Sequence, residues 1–206
     1  MHKTVPYLIA ELGVNFYDTA RAEGMSPMEA AKRYVDGVAE AGCDCAKFQS
    51  YKAGTIVSKN SPAYWDTTKE PTKTQYELFQ KHDSFGEAEF AELCEYTHSK
   101  GLDFTSTPFD YASADYLAKY VDFYKISSSD ASNLPFIEHI GAKGKPVVIS
   151  VGASYLSEAD EAIRALRRSG CRDITVLHCV LSYPTDPSDA NLRVIETLAR
   201  TFPDVK

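Results

Sequence analysis

Cys45-Ala46-Lys47-Phe48-Gln49-Ser50-Tyr51 is the stretch on which the fold turns. It alternates apolar and polar side chains with the two-residue period of a β-strand. Ala46 and Phe48 fall on one face, Lys47 and Gln49 on the other. A parallel sheet covered by helices on both sides is apolar on both faces. A strand of a (β/α)8-barrel instead carries functional side chains at its C-terminal end, where the interior opens into a site. Lysine and glutamine late in this strand fit the barrel.

Outward from it the pattern repeats. Strand candidates cover 7–15, 45–51, 103–107, 123–127, 146–151 and 174–179, with helix candidates at 27–41, 87–99, 112–120, 134–142, 158–169 and 189–200. Alternation of this kind means right-handed βαβ units on a parallel sheet. Glu11, Gly13 and Asn15 share a face of the first strand; Thr105 pairs with Thr107 in the third and Lys125 with Ser127 in the fourth. The fifth ends Ser150-Val151-Gly152, and the sixth sets His178 opposite Leu177 and Cys179. The first βα turn, Glu11 to Asp18, lacks the Gly-x-Gly-x-x-Gly spacing of a dinucleotide site, and no Walker sequence occurs. The fold class expected is α/β, a (β/α)8 TIM-type barrel truncated to about six β/α units, with 1–206 as one incomplete catalytic barrel domain.

Local punctuation agrees. Ser26 is placed to cap the helix at 27–41, with Pro27 at its first position and Glu29 set for a capping box. Gly42, Gly101, Gly144 and Gly170 follow helices, where a left-handed turn suits glycine. The stretch 51–74 lacks periodicity, and loops of that length usually carry function or are disordered. Its Tyr64-Trp65-Asp66 suggests an ordered lid, with Trp65 either packing the lid or facing a sugar.

The chain of 206 residues is 44% hydrophobic and carries a net charge of −7 with no long run of one sign, which argues against a nucleic-acid or acidic-membrane partner. An anionic ligand therefore needs locally placed lysines. No apolar run reaches membrane-spanning length, and Met1-His2-Lys3-Thr4 begins no signal-peptide apolar core. Of the five cysteines, Cys43 and Cys45 stand closer than zinc ligands usually do. They read as reduced thiols of a cytoplasmic protein.

Each candidate has a plainer reading beside the functional one. A lysine near a strand end is more often a solvated edge residue. Lys47 lies between Ala46 and Phe48, however, and Lys125 between Tyr124 and Ile126. Buried ammonium groups need a charged partner, which favours anion binding. Glu11, between Ala10 and Leu12, is either an active-site carboxylate or a structural partner to one of these lysines. Thr107 and Ser128 are equally placed to cap following helices. His178 alone reads as a satisfied core histidine, and Tyr183 before Pro184 as turn packing.

Seven short motifs occur in order: Ile9-Ala-Glu-Leu-Gly-Val-Asn15, Ala46-Lys-Phe-Gln49, Ser106-Thr-Pro-Phe-Asp110, Tyr124-Lys-Ile-Ser-Ser128, Gly144-Lys-Pro-Val-Val-Ile-Ser150, Leu177-His-Cys179 and Tyr183-Pro-Thr185. Together they make the chain resemble the sialic acid synthase family over essentially its whole length, a family that includes N-acetylneuraminate, legionaminate and pseudaminate synthases. The resemblance implies a transferase that condenses phosphoenolpyruvate with N-acetylmannosamine or a related N-acyl amino sugar, releasing phosphate. It implies catalytic roles for Glu11, Lys47 and Lys125. Gln49, Thr107, Ser128, Asp130, Ser150 and Tyr183 would contact substrate, the lysines with Thr107 and Ser128 holding the phosphoenolpyruvate anion. It further implies a divalent metal, Mn2+ or Mg2+, that polarises the sugar aldehyde, and a homodimer.

Departures from the family pattern are Phe16-Tyr17-Asp18, where many members have His-Asn-Gly or His-Glu-Gly, together with Leu181 and Val151. The family's metal ligands, a Ser-Asp-His-Thr motif on strand seven and a histidine on strand eight, do not occur. Residues 201–206 fall about where strand seven would begin. The expectation is therefore a fragment without metal ligands or the family's antifreeze-like domain, inactive alone. A non-catalytic sugar-phosphate binding module is the rival reading, and another phosphoenolpyruvate-dependent barrel a further one.

Overall fold

A computed structural model describes residues 6–206; residues 1–5, which include Met1-His2-Lys3-Thr4, lie outside the described part. The chain divides into two compact units, through Val121 and from Asp122 onward.

In the first unit, β1 (Ile9–Gly13), β2 (Cys45–Ser50) and β3 (Asp103–Pro108) form a parallel sheet in the order β1-β2-β3. Between β1 and β2 lie α1 (Phe16–Glu23) and α2 (Pro27–Glu40); between β2 and β3 lie α3 (Ala53–Ile56), α4 (Gln75–Gln80) and α5 (Glu87–Ser99); α6 (Tyr111–Leu117) follows β3. The α2 start is as expected: Ser26 Oγ accepts from Glu29 N, Glu29 answers to Ser26 N, and Pro27 opens the helix. Ala30, Ala31, Val35 and Val38 form its buried stripe. Phe48 and Phe104, from neighbouring strands, are fully buried, each side chain contributing about 2 to 3 kcal/mol by its removal from water.

In the second unit, β4 (Tyr124–Ile126), β5 (Val147–Ser150) and β6 (Ile174–Leu177) form another parallel sheet in the order β4-β5-β6. The intervening helices are α7 (Leu134–Gly141) and α8 (Leu156–Arg168), and α9 (Val194–Thr201) follows β6. The buried face of α8 is Ala159, Ala162, Ile163, Ala165 and Leu166, the stripe expected of a 3.6-residue period. Lys206 extends the ladder beyond β6. Its N–H donates to Ile174 O at 3.0 Å and its carbonyl accepts from Val176 N at 2.8 Å.

The α/β alternation and parallel pairing match the sequence reading, and Gly42, Gly101, Gly144 and Gly170 all take positive φ. Some bounds need correction, the sixth strand's among them: it stops at Leu177, so His178 and Cys179 lie beyond it. The first strand stops at Gly13, not Asn15, because the register shifts between Glu11 and Gly13. Asn15 therefore leaves the strand face assigned to it and precedes α1, a helix absent from the sequence reading. The last helix begins at Val194, not 189: a 3-10 turn at Pro187–Asp189 comes first, and Asn191 at φ 46° interrupts any continuous helix. Within 51–74, α3 forms, Pro62 bridges Thr74, and Trp65 Nε1 donates to Glu70 O at 3.1 Å. No helix among the described residues is long and apolar enough to cross a membrane.

Candidate functional site

The register of the first sheet sets Glu11, Lys47 and Thr105 in one row across three strands, with Gln49 beside Thr107 in the row of their shared face two residues on. Lys47, Thr105 and Thr107 are buried, whereas the Glu11 side chain is about half exposed. Lys47 Nζ makes an ion pair with Glu11 Oε2, and Gln49 Nε2 donates to Glu11 Oε1 at 3.2 Å. Both carboxylate oxygens are thus engaged, and the charge of a buried ammonium is met by its neighbour. The backbone makes room for this. Gly13 has φ +57°, and a Cβ there would lie 3.2 Å from Glu11 Oε1 and 3.3 Å from Gln49 Nε2.

Phe16 has no polar role. It is 1% exposed and packs against Phe48 and Phe85, with ring centroids 5.9 and 5.0 Å away. Tyr17 is buried beside it, its hydroxyl accepting from Phe85 N at 2.9 Å; burial pushes the phenol above its ordinary pKa. The departure at 16–18 therefore changes core packing. It also creates a cluster that the sequence reading missed. Asp18 pairs with Arg21, whose Nη2 donates to His82 Nε2 at 2.7 Å, while His82 Nδ1 donates to Leu78 O at 3.1 Å. Burial works to raise the Asp18 carboxyl, but Arg21 and His82 outweigh it and hold it below the usual range. Asp18 and Arg21 at i, i+3 were the available signal for α1. Thr107 caps no helix; Asp110 does, accepting from Ser113 N at 2.7 Å.

In the second unit Lys125 is 7% exposed and its Nζ donates to Ile126 O at 2.7 Å. Among the described residues it forms no ion pair, and burial pushes its pKa down to about 8, with Cys179 opposing the shift. Val148 stands beside Lys125 in the register, so Ser150, two residues on, shares its face; Ser150 is buried. Ser128 is half-buried and accepts from Gly152 N at 3.0 Å, while the cap of the following 3-10 turn (Ser128–Asp130) is Ser127. Asp130 is half-buried, and burial pushes its carboxyl upward against hydrogen bonds from Asn133 and Ser129. Tyr183 is 89% exposed, so it does not pack the turn with Pro184. His178 Nε2 donates to Ala190 O at 2.7 Å, a structural role. A cavity of about 280 Å³ between β6 and α9 is lined mainly by Val176, Leu177, Ile195, Leu198 and Phe202, with His178 and Lys206 at its wall.

No group of three or more His, Cys, Asp or Glu among the described residues could hold a metal ion, so these residues do not fit the divalent metal that the resemblance implies. The cysteines are free thiols.

Comparison with known proteins gives a consistent result. The NeuB family profile matches residues 34–206. An uncharacterized protein of Methanocaldococcus jannaschii is 38% identical over 197 residues, covering 95% of this chain and 52% of that protein. The N,N'-diacetyllegionaminic acid synthase of Legionella pneumophila is 33% identical over 203 residues, covering 95% and 54%. Among solved structures, the N-acetylneuraminic acid (sialic acid) synthetase of Leptospira borgpetersenii superposes with a TM-score of 0.79 at 30% identity, covering 95% of this chain and 61% of that one. The chain spans about half the length of the curated relatives it matches.

Proposed function

The chain belongs to the NeuB family, and from that premise we propose that the whole protein is a sialic acid synthase-type transferase. In this reading it joins phosphoenolpyruvate to an N-acyl amino sugar and releases phosphate, and its complete fold is a (β/α)8-barrel. The observation that carries the reading is Lys125: an ammonium 7% exposed, on a strand, with no ion-pair partner among the described residues. Such a group is costly unless a ligand supplies the missing charge. Phosphoenolpyruvate brings both a phosphate and a carboxylate.

The residues' roles follow from their contacts. Lys125 retains N–H groups beyond the one given to Ile126 and supplies charge-assisted hydrogen bonds to the anion. Ser128 adds a hydroxyl. Glu11 is held in one orientation by Lys47 and Gln49, which suits a carboxylate that must face a reacting carbon without rotating away. Bond making is between C3 of phosphoenolpyruvate and the sugar's aldehyde carbon; water adds at C2, and the C–O bond to phosphate breaks. Thr107, Asp130, Ser150 and Tyr183 are proposed substrate contacts. Relatives are named for sialic and for legionaminic acid products, so the amino sugar is sought among both classes.

The test is phosphate release by the full-length protein. It is expected only when phosphoenolpyruvate, a divalent metal and one N-acyl amino sugar are all present. The panel is N-acetylmannosamine, its phosphorylated form and dideoxy-diacetamido sugars. Silence across the panel overturns the reading. Lys47→Ala and Lys125→Ala are each expected to raise KM for phosphoenolpyruvate by about ten-fold or more; an unchanged KM removes that lysine from the site.

A further inference from the structure

The ends of β4, β5 and β6 meet at Gly152. This residue is buried just after β5, and its N–H donates to Ser128 Oγ, just after β4, at 3.0 Å. A Cβ on Gly152 would lie 3.0 Å from that Oγ, 3.1 Å from the carbonyl oxygen of Cys179 and 3.2 Å from the Cys179 Cβ, just after β6. The space is filled on two sides, one of them backbone. Any side chain here must displace Ser128, Cys179 or both.

The polarity of the bond matters as much as the space. A serine hydroxyl has one proton to donate and lone pairs to accept with. Gly152 N–H occupies the accepting side of Ser128, and among the described residues nothing accepts the hydroxyl's own proton. Ser128 is left as a donor. Lys125 lies three residues earlier, on β4, and Ser150, which shares its face on β5, lies two residues before Gly152.

We propose that Gly152 is a positioning residue for the anion site. Its N–H turns the Ser128 hydroxyl into a dedicated donor at the end of the strand that carries Lys125, and its bare Cα lets the ends of β4 and β6 close around it. The inference rests on the anion-binding reading of Lys125, and it adds a residue that contacts no substrate itself.

The experiment is steady-state kinetics of the full-length protein with Gly152→Ala, Ser128→Ala, Ser128→Thr, Lys125→Ala and the Gly152→Ala/Ser128→Ala double variant. Gly152→Ala and Ser128→Ala are each expected to raise KM for phosphoenolpyruvate by about ten-fold, with kcat and the amino-sugar KM within about two-fold. The double variant should be no worse than the worse single one, because both changes remove the same donor. Ser128→Thr keeps the hydroxyl and should restore most of the affinity. Multiplying effects in the double variant, or equal losses for both substrates, overturn the proposal. So does an unchanged phosphoenolpyruvate KM in Ser128→Ala, a result that decides the matter even if Gly152→Ala fails to fold. If Lys125→Ala raises that KM while Gly152→Ala does not, only the positioning role falls. If Lys125→Ala leaves it unchanged, the anion-site reading falls with it.

Discussion

Lys125 shows how one side chain couples burial to pH. Burial lowers its pKa from 10.5 to about 8 in the folded protein. Between those values the unfolded chain binds the proton and the folded one has released it, so stability rises with pH across that window. Below about pH 8 both states are charged and the full cost remains, about 3 kcal/mol from the size of the shift. Lys125→Met is therefore expected to raise unfolding free energy at pH 7, and to flatten its rise between pH 8 and 10, in urea titrations. A bound anion acts in the opposite direction. Phosphoenolpyruvate binding at pH 9 is expected to take up close to one proton, read as a dependence of calorimetric heat on buffer ionisation enthalpy. The sequence disclosed this residue because a lysine flanked by Tyr124 and Ile126 is conspicuous. It offered Glu11 as a partner to one of the two lysines but not which, since that depends on the cross-strand register. Nor did it show Phe16 as core, because a single aromatic after a strand carries no periodicity.

At the scale of elements, caps explain both successes and misses. The Ser26 box is local in sequence, and it was legible. Ser26→Ala is expected to cost about 1 kcal/mol in urea unfolding, while leaving phosphoenolpyruvate KM unchanged. Thr74 and Glu77 form the same box at the start of α4, just past the aperiodic stretch 51–74, and the helix is too short to show a stripe. Asp110 is a cap of another kind. Its carboxylate is 8% exposed and accepts from Ser113 N at 2.7 Å, from Thr55 Oγ1 at 2.6 Å and from Lys52 N at 3.3 Å. It joins the start of α6 to the chain leaving β2. Asp110→Ala leaves several donors unmet and is expected to destabilise by about 2 to 4 kcal/mol, measured by urea unfolding. The partners from 52–55 lie too far away in sequence to have been foreseen.

At the scale of the molecule, parallel strands alternating with helices were legible because each strand and helix has its own period. The pairing partners were not, because register is a non-local property. Burial varies with place in each sheet. β2 pairs on both sides and is buried along nearly its whole length, whereas 181–189 is exposed throughout. Hydrogen exchange is expected to be slowest for the β2 amides and fastest in 181–189; comparable rates would contradict the register. Trp65 gives the molecule a reporter of its own. It is the sole tryptophan, beside 13 tyrosines, and its indole is tied to Glu70 O within the long segment between β2 and α4. Emission excited beyond the tyrosine band therefore follows the melting of that segment, while far-ultraviolet ellipticity follows the helices and sheets. A mismatch between the two optical signals on heating would mark the segment letting go first.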